Sequence, residues 1–293
     1  MANILITGAG APGIWGTCQS LKGHRLIGTD IREDVVGKFF CDKVYQVPRP
    51  GKEFVLKIKE IIKKEKIDCI VPQVTAELKW LGQIPIALVN TPEKIDIVNN
   101  KFKLMEAAKE FGCTAKYFMS NGFVAKPPIG HGQEKVKGTQ GIDNILIVKD
   151  KALIMEYLPG KEYSVDCLAN KGKMVVCVPR SRDKIRDGIT FEGTTVNNTK
   201  IVEACRQIIE KLELDQIIGF QFMEDKSGEP KLIECNPRVQ GTMYHSTLAG
   251  ANIIDGAVKQ FLTGSSGLSQ DKIKWGHKLK RFWGALGDES NCA

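Results

Sequence analysis

The sequence predicts an α/β protein whose C-terminal part becomes α+β. Strand and helix patterns alternate through roughly the first ninety residues, which favours a parallel sheet. After a long helix the pattern becomes rich in β-hairpins, and one late hairpin, at 219–238, ends in a cluster of polar residues. Taken in order, Asn3 to Thr7 reads as a buried strand, followed by the glycine turn Gly8-Ala9-Gly10-Ala11-Pro12-Gly13. His24 to Thr29 is a second strand, ending at Asp30. Lys52 to Lys66 carries Phe54, Val55, Ile58, Ile61 and Ile62 at helical spacing, with lysines and glutamates opposite. Ile67 to Val71 and Pro85 to Asn90 are two more strands, the latter closed by Thr91-Pro92 as a turn and helix start.

A helix from Pro92 to Phe111 would turn Ile95, Val98, Phe102, Met105 and Ala108 inward. Phe123 to Pro127 and Ala152 to Glu156 read as short strands flanking a Gly130-His131-Gly132 turn. Strands at Tyr163 to Ala169 and Lys173 to Val178 follow, and then a helix from Thr199 to Leu212 with Ile201, Val202, Cys205, Ile208, Ile209 and Leu212 on its apolar side. Lys278 to Trp283 reads as an edge strand or short amphipathic element.

At 293 residues the chain is long enough for two or three subdomains, since domains commonly run about 100 to 200 residues. Its hydrophobic content of 42% and charged content of 26% are those of a globular protein. No apolar run approaches the roughly 20 residues that cross a membrane, and no signal-peptide pattern opens the chain, so a cytoplasmic location is expected. The 9 cysteines are scattered without zinc-site spacing and read as reduced, mostly buried small hydrophobes. A net charge of +8 favours an anionic partner. With no arginine-rich run, zinc finger or aromatic RNA-binding signature, a small anionic ligand is expected rather than a nucleic acid or a membrane.

The hairpin carries the chemistry. Gly219-Phe220-Gln221-Phe222-Met223 runs into a turn at Asp225-Lys226-Ser227-Gly228, and Leu232-Ile233-Glu234-Cys235-Asn236-Pro237-Arg238 returns. If Glu224 pairs with Glu229, the two-residue strand period puts Gln221 on one face with Leu232, Glu234 and Asn236. One carboxylate and two amide oxygens suit a hard cation such as Mg²⁺ (or Mn²⁺), which fills its remaining positions with water and phosphate oxygens. Pro237 stops the ladder, and Arg238 places a fixed positive charge where a phosphoryl group would sit.

With these residues in hand, the order of elements resembles the ATP-grasp superfamily, and within it the carbamoyl-phosphate-synthase large-chain type, over about residues 1 to 265. The resemblance implies an N-terminal Rossmann-like pre-ATP-grasp domain at 1–92, a linker helix and small lid at 93–158, and a C-terminal ATP-grasp domain with the metal site at 159–293. It implies that Gln221, Glu234 and Asn236 hold Mg²⁺ against ATP and that Arg238 contacts the transferred phosphoryl. It further implies nucleotide contacts from Lys101, in Asn100-Lys101, and from Lys126, in Ala-Lys-Pro, the latter to the α-phosphate and adenine. Met155-Glu156-Tyr157-Leu158-Pro159-Gly160 resembles the hinge that recognises the adenine edge, and Glu162 would face the ribose hydroxyls. The chain departs from the family in holding one synthetase unit and a short lid.

Enzymes of this type phosphorylate a carboxylate with ATP, and an amine then displaces phosphate, so the implied partners are a small carboxylate and an amine. The basic cluster Arg180-Ser181-Arg182-Asp183-Lys184-Ile185-Arg186-Asp187-Gly188 reads as a loop, with Arg186 expected to hold substrate or γ-phosphate beside a permissive glycine. His245 reads as a helix cap. A homodimer is the expected assembly. Two alternatives stay open: an NAD-dependent oxidoreductase, because Gly8 to Gly13 satisfies G-x-G-x-x-G with Asp30 at ribose-binding spacing, and a non-catalytic ATP-binding regulatory protein. In the ligase reading, the glycine turn instead receives a substrate anion, with Glu77 as an amine contact.

Overall fold

The computed structural model describes residues 1–120, 152–282, 284 and 286–287. Its first unit comprises β1 (Asn3–Thr7), α1 (Ile14–Ser20), β2 (Arg25–Asp30), β3 (Lys43–Gln46), α2 (Lys52–Glu65), β4 (Cys69–Val71) and α3 (Leu78–Leu81). The four strands form a wholly parallel sheet in the order β3-β2-β1-β4. Its central strand β1 is buried on both faces, as its unbroken apolar run requires. On one face, Leu5, Ile27 and Ile70 pack against Phe54, Ile58 and Ile61 of α2. The strand expected at Pro85 to Asn90 is reduced to a single bridge, Ile70 to Ala87.

The next elements are α4 (Pro92–Asn99), α5 (Lys101–Ala108), β5 (Tyr117–Ser120) and β6 (Ala152–Met155). The single helix expected over Pro92 to Phe111 is broken at Asn100. Asn100 takes an extended backbone, and its side chain accepts a hydrogen bond from Lys103 N at 3.1 Å, so it caps a new helix. The two short helices pack on the second sheet through Val98, Leu104, Met105 and Ala108. β5 and β6 pair antiparallel. The strand expected at Phe123 to Pro127 and the turn at Gly130 to Gly132 lie outside the described residues.

The C-terminal part contains β7 (Glu162–Asn170), β8 (Lys173–Ser181), β9 (Lys184–Arg186), β10 (Ile189–Thr194), α6 (Thr199–Lys211), β11 (Gln216–Glu224), β12 (Pro230–Asn236), α7 (Tyr244–Leu248), α8 (Ile253–Thr263) and β13 (Lys278–Lys280). Asn198 caps α6, accepting from Ile201 N at 3.1 Å. An antiparallel sheet runs β12-β11-β7-β8, and a smaller one runs β13-β10-β9, with β13 at an edge.

The two faces of the larger sheet differ. One is apolar throughout: Val165, Cys167, Ile218, Phe220 and Leu232 pack against α4, α5 and α6. The other changes character along its length. Leu168, Val176, Val178 and Ile217 meet Ile4, Ile6, Val71 and α8 in a core shared with the parallel sheet. Beyond them, on the same face by register, come Asp166, Ser164 and Glu162 of β7, Arg180 of β8, Gln221 of β11, and Glu234 and Asn236 of β12.

Candidate active site

The hairpin register differs by one step from the simple count, and a bulge restores it. Asp225 Oδ1 accepts from Ser227 N (2.8 Å), Ser227 Oγ (2.6 Å) and Glu229 N (3.1 Å), and Gly228 takes φ +83°. This tighter reversal sets Glu224 opposite Pro230 rather than Glu229. Leu232 therefore faces Phe222 in the apolar core rather than sharing a face with Gln221. Ile233 is then inserted as a bulge, so that Gln221 lies opposite Glu234 and Gly219 opposite Asn236. Gln221, Glu234 and Asn236 thus share a face.

Around Glu234 a chain of polar contacts runs into the first unit. Asn236 Nδ2 donates to Glu234 Oε1 at 2.9 Å, and Lys101 Nζ lies 3.1 Å from Glu234 Oε2. The helix break at Asn100 is what puts Lys101 at the start of α5, facing this carboxylate. Arg238 donates from Nη2 to Asn236 Oδ1 (3.1 Å), from Nε to Thr75 Oγ1 (2.7 Å) and from Nη1 to Val239 O (2.9 Å). Burial pushes its pKa down, and the Glu234 carboxylate pulls it back up.

Of the basic cluster, Arg182 rather than Arg186 pairs with a carboxylate of this polar face. Arg182 Nη1 lies 2.9 Å from Glu162 Oε1, and Arg182 Nη2 donates to Gly188 O at 2.7 Å. Burial lowers its pKa, while the attraction of Glu162 and, more weakly, of Glu234 opposes the shift. Arg186 instead lies exposed on β9, its guanidinium 4.9 Å from the Phe191 ring centroid. The stretch read as a basic loop is largely strand: β8 runs to Ser181, and β9 follows at once. The two-residue period that sends Arg180 and Arg182 to the face of Glu162 was the available signal.

Deeper on that face, Arg180 and Asp166 are both fully buried, with Arg180 Nε 2.8 Å from Asp166 Oδ2 and Nη2 donating to Oδ1 at 2.8 Å. Thr242 and Ser246 complete this network. His245 is buried beside it rather than capping a helix. Its Nε2 is 3.0 Å from the His277 carbonyl oxygen, and burial, aided by the Arg180 charge, pushes its pKa down to about 3.

In the segment expected to act as a hinge, Glu156 N donates to Lys116 O, and Glu156 Oε1 accepts from Lys116 N, both at 2.9 Å. Tyr157 is exposed and Leu158 buried. Glu162 opens β7 on the polar face. Lys126 lies outside the described residues.

The N-terminal glycine turn is closed by its own neighbours. Asp30 Oδ2 accepts from Gly10 N at 2.8 Å, and Asp30 Oδ1 accepts from Arg32 N at 3.0 Å and from Arg32 Nε at 3.2 Å. Burial opposes ionisation, but these donors hold the Asp30 carboxyl below its usual range. A Cβ on Gly10 would fall 1.9 Å from Arg32 Nη2, and one on Gly13 2.9 Å from Gly241 Cα. The acid that a dinucleotide ribose requires is therefore engaged within the chain. Nearby, Glu77 is buried with Oε2 unpartnered, and burial pushes its carboxyl up to about 7.

A parallel sheet joined to an antiparallel one is here the ATP-grasp fold, which the similar solved structures share. Residues 149–280 match the family described as ATP-grasp in the biosynthetic pathway with Ter operon. Among solved structures, N5-carboxyaminoimidazole synthetase from Staphylococcus aureus, complexed with ADP, is similar with a TM-score of 0.66 at 15% identity, over 92% of this chain and 79% of that one. The biotin carboxylase domain of 2-oxoglutarate carboxylase from Hydrogenobacter thermophilus, in complex with MgADP, ADP and bicarbonate, gives 0.67 at 12% identity, over 94% and 73%. Biotin carboxylase from Campylobacter jejuni gives 0.66 at 15% identity, over 94% and 74%. No curated protein matches the chain.

Proposed function

We propose that the chain is an ATP- and Mg²⁺-dependent ligase that activates a small carboxylate as an acyl phosphate for attack by an amine. The observation that carries this reading is the convergence of Gln221, Glu234 and Asn236 on one sheet face, flanked by Lys101 and Arg238. The donor set fits Mg²⁺: one carboxylate and two amide oxygens are hard ligands. Lys101, which is 53% exposed, occupies one Glu234 oxygen and an amide N–H the other, and both partners are exchangeable. When bound, MgATP supplies the phosphoryl group and neutralises the charge that develops on it.

The chain's own task is placement. Glu234, Asn236 and Gln221 would hold the metal, and Lys101, once freed from Glu234, would be available to a phosphate oxygen. Arg238 is held by Thr75 Oγ1 and the Val239 carbonyl, so its guanidinium stays placed where phosphoryl charge would accumulate even when Asn236 Oδ1 turns to the metal. Glu156 and the backbone at Tyr157 and Leu158 receive the adenine edge, and Lys126 the α-phosphate. Glu162, steadied by Arg182, faces the ribose. Arg186 reaches the carboxylate substrate or the γ-phosphate. The ADP and MgADP complexes of the similar structures support a nucleotide with magnesium as the ligand.

Thermal shift tests the nucleotide class. ATP with Mg²⁺ raises the midpoint of the wild-type chain, NAD does not, and Glu234→Ala removes the response to MgATP. A rise with NAD and none with MgATP refutes the ligase. A screen of amino acids and dicarboxylates for ADP release then identifies the substrate. MgATP binding with no release across that screen favours a non-catalytic ATP-binding protein.

A further inference from the structure

On the apolar face of the antiparallel sheet, three thiols converge. Cys167 and Cys177 are direct cross-strand partners on β7 and β8, and Cys205 descends on them from α6. All three are fully buried, and their sulfurs lie within 4.8 Å of one another. Among the described residues, this is the one trio of potential metal-ligating side chains held so closely. The surrounding core is apolar, with Val165, Ala169, Ile201, Ile208 and Ile218 in the same cluster.

We propose that Cys167, Cys177 and Cys205 form a buried site for a trivalent thiophilic ion of the arsenite type. Geometry and charge select this class. Bonds of about 2.3 Å at the roughly 100° angles of a pyramidal trivalent centre put three sulfurs about 3.5 Å apart, so each sulfur has to move inward by under about 1 Å. Structural zinc takes a fourth ligand, and among the described residues no His, Asp, Glu or fourth Cys joins the trio. Charge points the same way. Three thiolates leave a net charge of minus two with a monovalent ion and minus one with a divalent ion, and an apolar core disfavours either. A trivalent ion leaves the complex neutral.

The chemistry balances without an oxidant. Arsenous acid, As(OH)₃, reacts with the three thiols. Three As–O bonds break and three As–S bonds form, each hydroxide leaves with a thiol proton as water, and arsenic stays trivalent. The product ties α6 to β7 and β8. Entry requires α6 to lift from the sheet, so loading is slow and the loaded protein is more stable.

The Cys18 and Cys41 sulfurs, 3.9 Å apart, are a competing dithiol, so the test uses the full chain carrying Cys41→Ala. That protein, fully reduced, is incubated with sodium arsenite and desalted, arsenic is counted by mass spectrometry, and its neighbours are read by X-ray absorption. The expected result is one arsenic per chain with three sulfur neighbours and a raised melting temperature. Adding Cys205→Ala lowers retained arsenic at least tenfold, whereas adding Cys113→Ala, which removes another buried thiol of the same core, leaves it unchanged. No retained arsenic in Cys41→Ala, two or fewer sulfur neighbours, or equal retention with and without Cys205 overturns the proposal. The absorption measurement stands even if the Cys205 variant fails to fold.

Discussion

Two ion pairs sit on the same face of the antiparallel sheet and answer to different physics. Arg180 and Asp166 are completely buried, joined by one hydrogen bond and a second close charged contact, and closed in by Thr242 and Ser246. Lys101 and Glu234 are 53% and 27% exposed, and one of the two Glu234 oxygens is shared only with an amide. A buried pair cannot exchange partners without leaving a bare charge in a low-dielectric interior, so it holds structure. An exposed pair contributes about 0 to 1 kcal/mol and gives up its partner cheaply to a metal or phosphate. Position along the sheet, rather than residue type, separates scaffold from site.

The sharpest way to break this contrast is Asp166→Ala. Leaving Arg180 buried and uncompensated should cost about 3 to 5 kcal/mol of unfolding free energy, measured by urea denaturation. A loss under 1 kcal/mol would place this pair in the same class as Lys101 and Glu234.

Glu77 extends the contrast to a buried carboxylate without a cation. Its pKa in the folded chain is about 7, against 4.5 in the absence of burial, so the native state binds more protons than the unfolded state between those values. Its contribution to stability is therefore full below about pH 4.5 and is lost as pH rises through about 7, a span worth roughly 3 kcal/mol. His245, buried neutral, acts in the opposite sense, so the informative quantity is the difference between wild type and Glu77→Gln. Melting curves from pH 4.5 to 8 should show the variant gaining on wild type as pH rises, and parallel curves would remove Glu77 from the account.

Substitutions at the exposed pair should leave stability alone and change catalysis. Glu234→Gln should lower MgATP-dependent turnover about 100-fold, close to 2.7 kcal/mol of barrier, with the melting temperature within a few degrees of wild type. Lys101→Met should have the smallest effect, raising KM for ATP about tenfold, with unfolding free energy changed by under about 0.5 kcal/mol. Steady-state ADP release reads both. Unchanged turnover in Glu234→Gln would strip the hairpin of its metal role.

Much of this arrangement was legible in the sequence. The apolar run of β1 and the helical spacing of Phe54, Ile58 and Ile61 give the first sheet and the helix that covers it, because burial imposes a period on any chain that folds this way. The shared face of Gln221, Glu234 and Asn236 was legible too, though two errors cancelled: the turn is one residue tighter than the count allowed, and Ile233 bulges. The break at Asn100 was not legible as such, since the apolar positions on either side keep helical spacing and only the capping hydrogen bond to Lys103 reveals it. Arg182 was not legible as a partner of Glu162, because a basic cluster without its strand assignment shows no facing.

By itself, the order of residues determined most of the segments that become strand or helix and most of the side chains that alternate inward, because those preferences act between neighbours a few positions apart. Only the tertiary structure decided which polar groups are consumed and which stay available. Arg238 meets Thr75, Arg180 meets Asp166 and Lys101 meets Glu234 across long separations in the chain, and the solvent left around each pair sets whether it holds structure or exchanges partners.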